Sequence, residues 1–151
     1  MSVRDRRLDA AAFGLSVGGV FLAAAVAFHV IAEPHIPEIL RRIRDPQVYA
    51  FVEPIQSFTF LLNALLLVPL TISTFWCAAG LRRGERWAWW IGLSNALTVM
   101  ALPCLIVATM GLRYFSDAPL FVAGAASVTA AGLVMLLPLI WAWRATAPAK
   151  R

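Results

Sequence analysis

The stretch from Pro54 to Leu81, PIQSFTFLLNALLLVPLTISTFWCAAGL, runs for 28 residues without one Asp, Glu, Lys or Arg. About 20 apolar residues are enough for a helix to cross a hydrocarbon core of about 30 Å, so this segment is long enough to span a membrane. Reading outward, three more stretches share the property: Ala10–Ala32, Trp87–Leu112 and Ala118–Trp143. The first follows Arg4, Arg6 and Arg7, as a signal peptide would, but it is 23 residues long and lacks a cleavage site. It therefore reads as a retained helix. The fold class predicted is all-α integral membrane: one four-transmembrane-helix bundle filling the 151 residues, with helices over about 10–32, 46–81, 87–112 and 118–143.

Composition agrees with this reading. Hydrophobic residues make up 61% of the chain and charged residues 14%, more apolar surface than a soluble domain of this size can cover. The net charge of +5 sits in short clusters between apolar runs, which points to membrane topology rather than to nucleic acid. Arg4, Arg6, Arg7, Arg82, Arg83, Arg86, Arg144, Lys150 and Arg151 fall on one side, nine groups against four (Arg41, Arg42, Arg44 and Arg113) on the other. The bias predicts cytoplasmic termini, N-in and C-in, and Trp87, Trp89, Trp90, Trp141 and Trp143 supply an aromatic belt at that face. Arginine outnumbers lysine twelve to one and alanine is abundant, which hints at a GC-rich bacterial genome and so at a bacterial cell (inner) membrane.

The first outer loop contains Pro37–Arg44, where Ile36, Ile39, Leu40 and Ile43 alternate with arginines as in a short interfacial amphipathic helix. Asp45-Pro46 then reads as a helix start, with Asp as N-cap and Pro in the first turn. Cys77 and Cys104 should differ in depth by roughly 15–20 Å, too far apart for a disulfide within the chain.

Polar side chains inside a membrane should face the bundle. At 100° per residue Glu53, Gln56, Asn63, Thr71 and Thr74 share an arc of roughly 80°, and Asn95, Thr98, Thr109 and Arg113 one of roughly 60°. On the first helix Ala11, Gly14, Gly18, Ala25 and His29 share a face, with Gly14-x-x-x-Gly18 permitting close helix approach. The fourth helix offers only small residues, such as Ala123, Ser127, Ala130 and Ala131, and reads as packing. The polar groups thus concentrate in the outer half. There His29, Glu33 and Glu53 are the candidates for acid/base or cation-stabilising chemistry. Asp45, Gln56, Phe60, Asn63, Asn95, Thr98, Thr109 and Arg113 are the candidate ligand-binding residues. The competing bland reading is ordinary interhelical hydrogen bonding, with Glu53 and Arg113 in headgroups. No haem-spaced histidine pair, Cys-x-x-Cys, glycine-rich phosphate loop or His-Glu-x-x-His is present, so no cofactor and no metal are expected.

The layout resembles the superfamily of emopamil-binding protein and the sigma-2 receptor (the EXPERA type) over about residues 28–110. The features that carry the resemblance are Glu33 at the end of the first helix, Asp45-Pro46, Gln56-Ser57-Phe58-Thr59-Phe60 leading to Pro69, and Ser94 with Thr98, Leu102 and Pro103. An amide at Leu62-Asn63 stands about where that family carries its second-helix acid. The resemblance implies a buried pocket whose acidic residues hold a cationic amphiphile or a carbocation-like intermediate. The function expected is therefore a membrane-embedded binder, or cofactor-free isomerase, of a lipophilic sterol-like, terpenoid-like or cationic amphiphilic molecule. Its other partners would be membrane lipids and a homo-oligomer or larger membrane complex. The alternatives are a non-catalytic scaffold subunit, docking a neighbour through the small-residue faces of the first and fourth helices, or a small transporter.

Overall fold

The computed structural model describes residues 3–35, 37, 46–110 and 119–146. Among the described residues are four long helices, α1 (Val3–Ala32), α2 (Pro46–Arg82), α3 (Arg86–Met110) and α4 (Pro119–Thr146), and a 3-10 turn at Glu33–His35 after α1. All four are long and apolar enough to cross a membrane, as an integral membrane protein requires. The helices run past the charge-free stretches into their charged flanks. α1 starts at Val3 rather than Ala10, because Arg6 and Arg7 are good helix formers and Asp5 in the first turn suits the positive end of the helix dipole. α2 starts at Pro46, as expected of a proline in a first turn. The amphipathic segment expected over 37–44 falls on residues that, apart from Pro37, lie outside the described set.

Packing joins α1 to α2, α2 to α3, α3 to α4 and α4 back to α1, a closed square of helices. The α2–α3 connection is a tight hairpin. Gly84 takes φ +75°, its N–H reaches Leu81 O at 2.9 Å, and Glu85 N–H reaches Gly80 O at 3.0 Å. This pair of bonds satisfies the last carbonyls of α2, and the left-handed residue between them is the one that needs glycine.

The core occupies the half of the bundle nearest this hairpin. Leu15, Leu22, Cys77, Leu81, Val99, Met135 and Leu139 are its largest fully buried apolar side chains, and Ala11, Ala12, Ala78, Ala88, Ala96, Ala131 and Ala142 let the helices approach. A Cβ on Gly14 would lie 2.6 Å from Val134 O and 3.0 Å from Pro138 Cγ; one on Gly18 would strike the Met135 side chain. Pro138 has no N–H to offer Val134 O, so that carbonyl is freed from its helix and faces α1. The small-residue face of α1 is thus spent inside the chain, on α4. Of the residues expected to form the packing face of α4, Ala131 is buried, whereas Ser127 and Ala130 are exposed. Buried positions 131, 132, 135, 139 and 142 set the seam instead, and 127 and 130 fall beside it.

Candidate functional site

Helical periodicity decides which side chains of α2 look inward. The less exposed positions are 49, 52, 53, 56, 57, 63, 64, 67, 70, 71, 74, 77, 78 and 81, a stripe of alternating three- and four-residue steps, with 73 and 80 beside it where α3 covers α2. Glu53, Gln56, Asn63, Thr71 and Thr74 all fall on it, while Phe51, Ile55, Phe58, Leu61, Leu62, Leu65 and Leu66 between them are exposed. The polar arc inferred for this helix is therefore the inward arc. On α1 the shared face also holds: Ala11, Gly14 and Gly18 are buried, and Ala25 and His29 half-buried.

The stripe is polar and open at one end, apolar and closed at the other. At 1.5 Å per residue from Arg82, Thr74 lies roughly 12 Å along α2, Asn63 roughly 28 Å and Glu53 roughly 44 Å. With the hairpin at one boundary of a core of about 30 Å, Thr74 sits near mid-depth, Asn63 near the far boundary and Glu53 beyond it. His29, counted roughly 33 Å from Arg7 along α1, also belongs to the far boundary, with Glu33 one turn further. Glu33, Glu53, Gln56, Asn63 and His29 are each only half-buried.

His29 turns its Nδ1 to the carbonyl of Ala25 at 2.7 Å, and the Phe28 ring meets its own edge-on at 5.8 Å. A carbonyl oxygen only accepts, so in that bond Nδ1 carries the proton. His35 repeats the pattern on Ile31 O at 3.1 Å.

Asn95 and Thr98 part company. Asn95 is 8% exposed, whereas Thr98 is exposed and spends its hydroxyl on Ser94 O at 2.9 Å. The buried positions of α3 are 88, 89, 92, 95, 96 and 99, so Thr98 falls one residue off the seam, a correction to its expected place beside Asn95. Asp45 and Arg113, and the side chains of Phe60 and Thr109, lie outside the described residues.

A polar cluster that the helical arcs only half disclosed joins α2 to α3. Thr74 Oγ1 donates to Leu70 O at 2.7 Å and Ser73 Oγ to the same carbonyl at 3.1 Å. Asn95 Nδ2 then donates to Ser73 Oγ at 2.8 Å and to Thr74 Oγ1 at 3.2 Å. Both hydroxyl protons are committed to Leu70, so both hydroxyl oxygens can accept from the amide. Thr74 and Asn95 stood on the inferred inward arcs; Ser73 did not, because it lies 100° from Thr74, at the edge where α3 covers α2.

Beside this cluster, on the outside of the bundle, an apolar groove of about 390 Å³ is lined by Pro69, Ile72, Ser73, Trp76, Cys77, Trp87 and Ile91. No group of three or more His, Cys, Asp or Glu side chains among the described residues could hold a metal ion. Comparison of the chain with protein-family models, with curated proteins and with solved structures finds no match.

Proposed function

We propose that the chain is a membrane-embedded binder of a lipophilic molecule with a cationic group, entering the bundle from its polar end. The observation that carries this reading is the contrast along α2. Fully buried apolar side chains fill the hairpin half, whereas the inward stripe of the other half bears Glu53, Gln56 and Asn63, each half-buried. A plug at one end and an unsealed polar seam at the other describe a one-sided site rather than a conduit. Glu53, with Glu33, supplies negative charge at the mouth, and the seam towards Asn63 accepts the apolar body. In the resemblance to emopamil-binding protein, the same layout extends to a cofactor-free isomerase. His29 would then exchange the proton at Nε2 and the carboxylates would face the developing cation.

The bias of nine basic groups against four supports a topology with the termini and the hairpin in the cytoplasm and the mouth outside, and the composition favours a bacterial inner membrane. A reporter active only outside the cytoplasm, fused after Arg151, should be silent. The scaffold alternative is weakened because Gly14 and Gly18 are covered by α4 of the same chain, leaving that face no neighbour to dock.

The test is affinity for a cationic amphiphile across Glu33→Gln, Glu53→Gln, Asp45→Asn and Arg41→Gln. Loss of either glutamate should weaken binding by about 1–3 kcal/mol, the scale of a charge-assisted hydrogen bond. Asp45→Asn, at a helix N-cap, should cost about 1 kcal/mol of stability at most and leave binding near wild type. Equal affinity in all four variants sinks the reading.

A further inference from the structure

The groove between α2 and α3 lies on a different part of the molecule from the polar seam. Its floor is Cys77, 1% exposed, and half-buried Ser73. One wall is Ile72 and Trp76, 58% and 66% exposed; the other is Trp87 and Ile91, 40% and 44% exposed. Both hydroxyl groups near the floor are tied into the Leu70–Asn95 network, so the surface offered outward is apolar and aromatic.

The position of the groove identifies what fits it. Counted from Arg82, Trp76 is roughly 9 Å and Pro69 roughly 20 Å along α2, the depth of acyl chains rather than of glycerol or headgroups. Because α2 and α3 are antiparallel and joined by a tight hairpin, the groove must end beneath that hairpin. Gly80 marks the closed end: a Cβ there would lie 3.1 Å from the Trp87 ring and 2.7 Å from Ala88 Cβ.

Over that end stand Arg82, Arg83 and Arg86 with one acid, Glu85. Arg83 meets Glu85 only loosely, at 3.9 Å, with its side chain 71% exposed. Arg82 and Arg86 are exposed and make no ion pair among the described residues. Arg83 follows Trp76 by seven residues and Ile72 by eleven, which places it above the same wall of the groove. The hairpin therefore carries two excess positive charges at headgroup level, directly over an apolar channel at chain level.

We propose that this is a specific phospholipid site: one acyl chain of an anionic phospholipid lies between Trp76 and Trp87, and its phosphate rests on the hairpin arginines. Guanidinium groups bind phosphate oxygens with two parallel N–H donors, and basic residues at a membrane surface attract anionic lipid in proportion to their number. The indole walls suit the level just below the headgroups.

Native mass spectrometry of the delipidated full chain tests it, titrating phosphatidylglycerol against phosphatidylcholine with identical acyl chains. The expected result is one retained phosphatidylglycerol, favoured roughly tenfold over phosphatidylcholine, with the preference shrinking as salt rises. The triple variant Arg82→Gln/Arg83→Gln/Arg86→Gln should lose the preference. Ile72→Trp/Ile91→Trp, which fills the groove from exposed positions, should lose retention of either lipid while keeping the hairpin charge. Arg6→Gln, a charge at the same end of the bundle but away from the groove, should behave as wild type. Equal retention of the two lipids by the wild type overturns the proposal. So does an Arg6→Gln loss as large as that of the hairpin variant, or undiminished retention in the filled groove.

Discussion

The indole Nε1–H of Trp89 donates to the main-chain carbonyl of Leu139 at 2.8 Å, tying α3 to α4 across fifty residues of sequence. Trp89 is 4% exposed and also meets the rings of Trp90 and Trp143, at 4.9 and 4.6 Å. Where one ring both fills the core and satisfies a carbonyl, replacing it removes two contributions at once. Trp89→Phe should lower stability by about 1–3 kcal/mol. Trp90→Phe, at a residue 50% exposed, should change it little. Thermal unfolding of both variants in one detergent checks the order, and equal midpoints would remove Trp89 as the α3–α4 tie.

Gly14 and Gly18 present α1 to α4, but they meet different things. The first lies against a main-chain carbonyl, Val134 O, and the second against the thioether side chain of Met135. A main-chain carbonyl and the proline ring beside it have no side-chain rotamer to change, whereas methionine has. Gly14→Ala should therefore cost about 1–3 kcal/mol and Gly18→Ala less. The unfolding midpoints of the two variants decide the matter; a larger loss at Gly18 would show that Met135 is the less yielding of the two.

The Ser73–Thr74–Asn95 network makes a more selective prediction. Removing the Asn95 amide leaves both hydroxyls still bonded to Leu70 O, so no buried donor is orphaned. Asn95→Leu and Thr74→Val should each lower the unfolding midpoint modestly, a loss of about 0.5–1 kcal/mol for the hydrogen bonds removed. Their coupling in a double-mutant cycle should be about 0.6 kcal/mol and not above about 1.7 kcal/mol, the range for hydrogen bonds between membrane helices. A coupling of zero would mean that the amide finds other partners in the folded bundle.

What the sequence disclosed follows from how strongly lipid constrains it. Four long runs free of charge can only be helices where no water can satisfy the backbone, so helix number was legible at once. The inward arc of α2 was legible too, because Glu53, Gln56 and Asn63 recur at steps a helix brings to one side. The registers of α3 and α4 were harder to read. Thr98 and Ser127 are small hydroxyl residues that can satisfy themselves on the preceding turn, as Thr98 does, so their polarity does not force them inward. Ser73 was hidden for the opposite reason: only contact with Asn95, 22 residues away, gives it a role. Nor does spacing along one helix reveal that Gly14 meets a carbonyl released by Pro138, since that needs the α1–α4 packing.

Two asparagines, Asn63 and Asn95, separate the structural from the binding role of polar groups in this bundle. Asn95 is 8% exposed, near mid-depth, and donates to two hydroxyls. Asn63 is half-buried on the inward stripe at the open end, beyond the fully buried part of the core. If the polar end receives a ligand, the two should respond to the same substitution in opposite ways. Asn63→Leu removes an amide facing the seam, so stability should hold or rise, as apolar surface suits a membrane interior. Affinity for a cationic amphiphile should fall severalfold, by about 1 kcal/mol for one lost hydrogen bond. Asn95→Leu should lower the unfolding midpoint and leave affinity unchanged, because its amide is turned to Ser73 and Thr74. Both variants keep net charge and the four-heavy-atom, Cγ-branched shape of the side chain, so neither electrostatic steering nor cavity formation distinguishes them. The check is a thermal midpoint and an amphiphile titration on each variant. A parallel loss of stability and affinity in both would mean that Asn63 is interhelical glue like Asn95, and that the seam closes on itself rather than on a ligand.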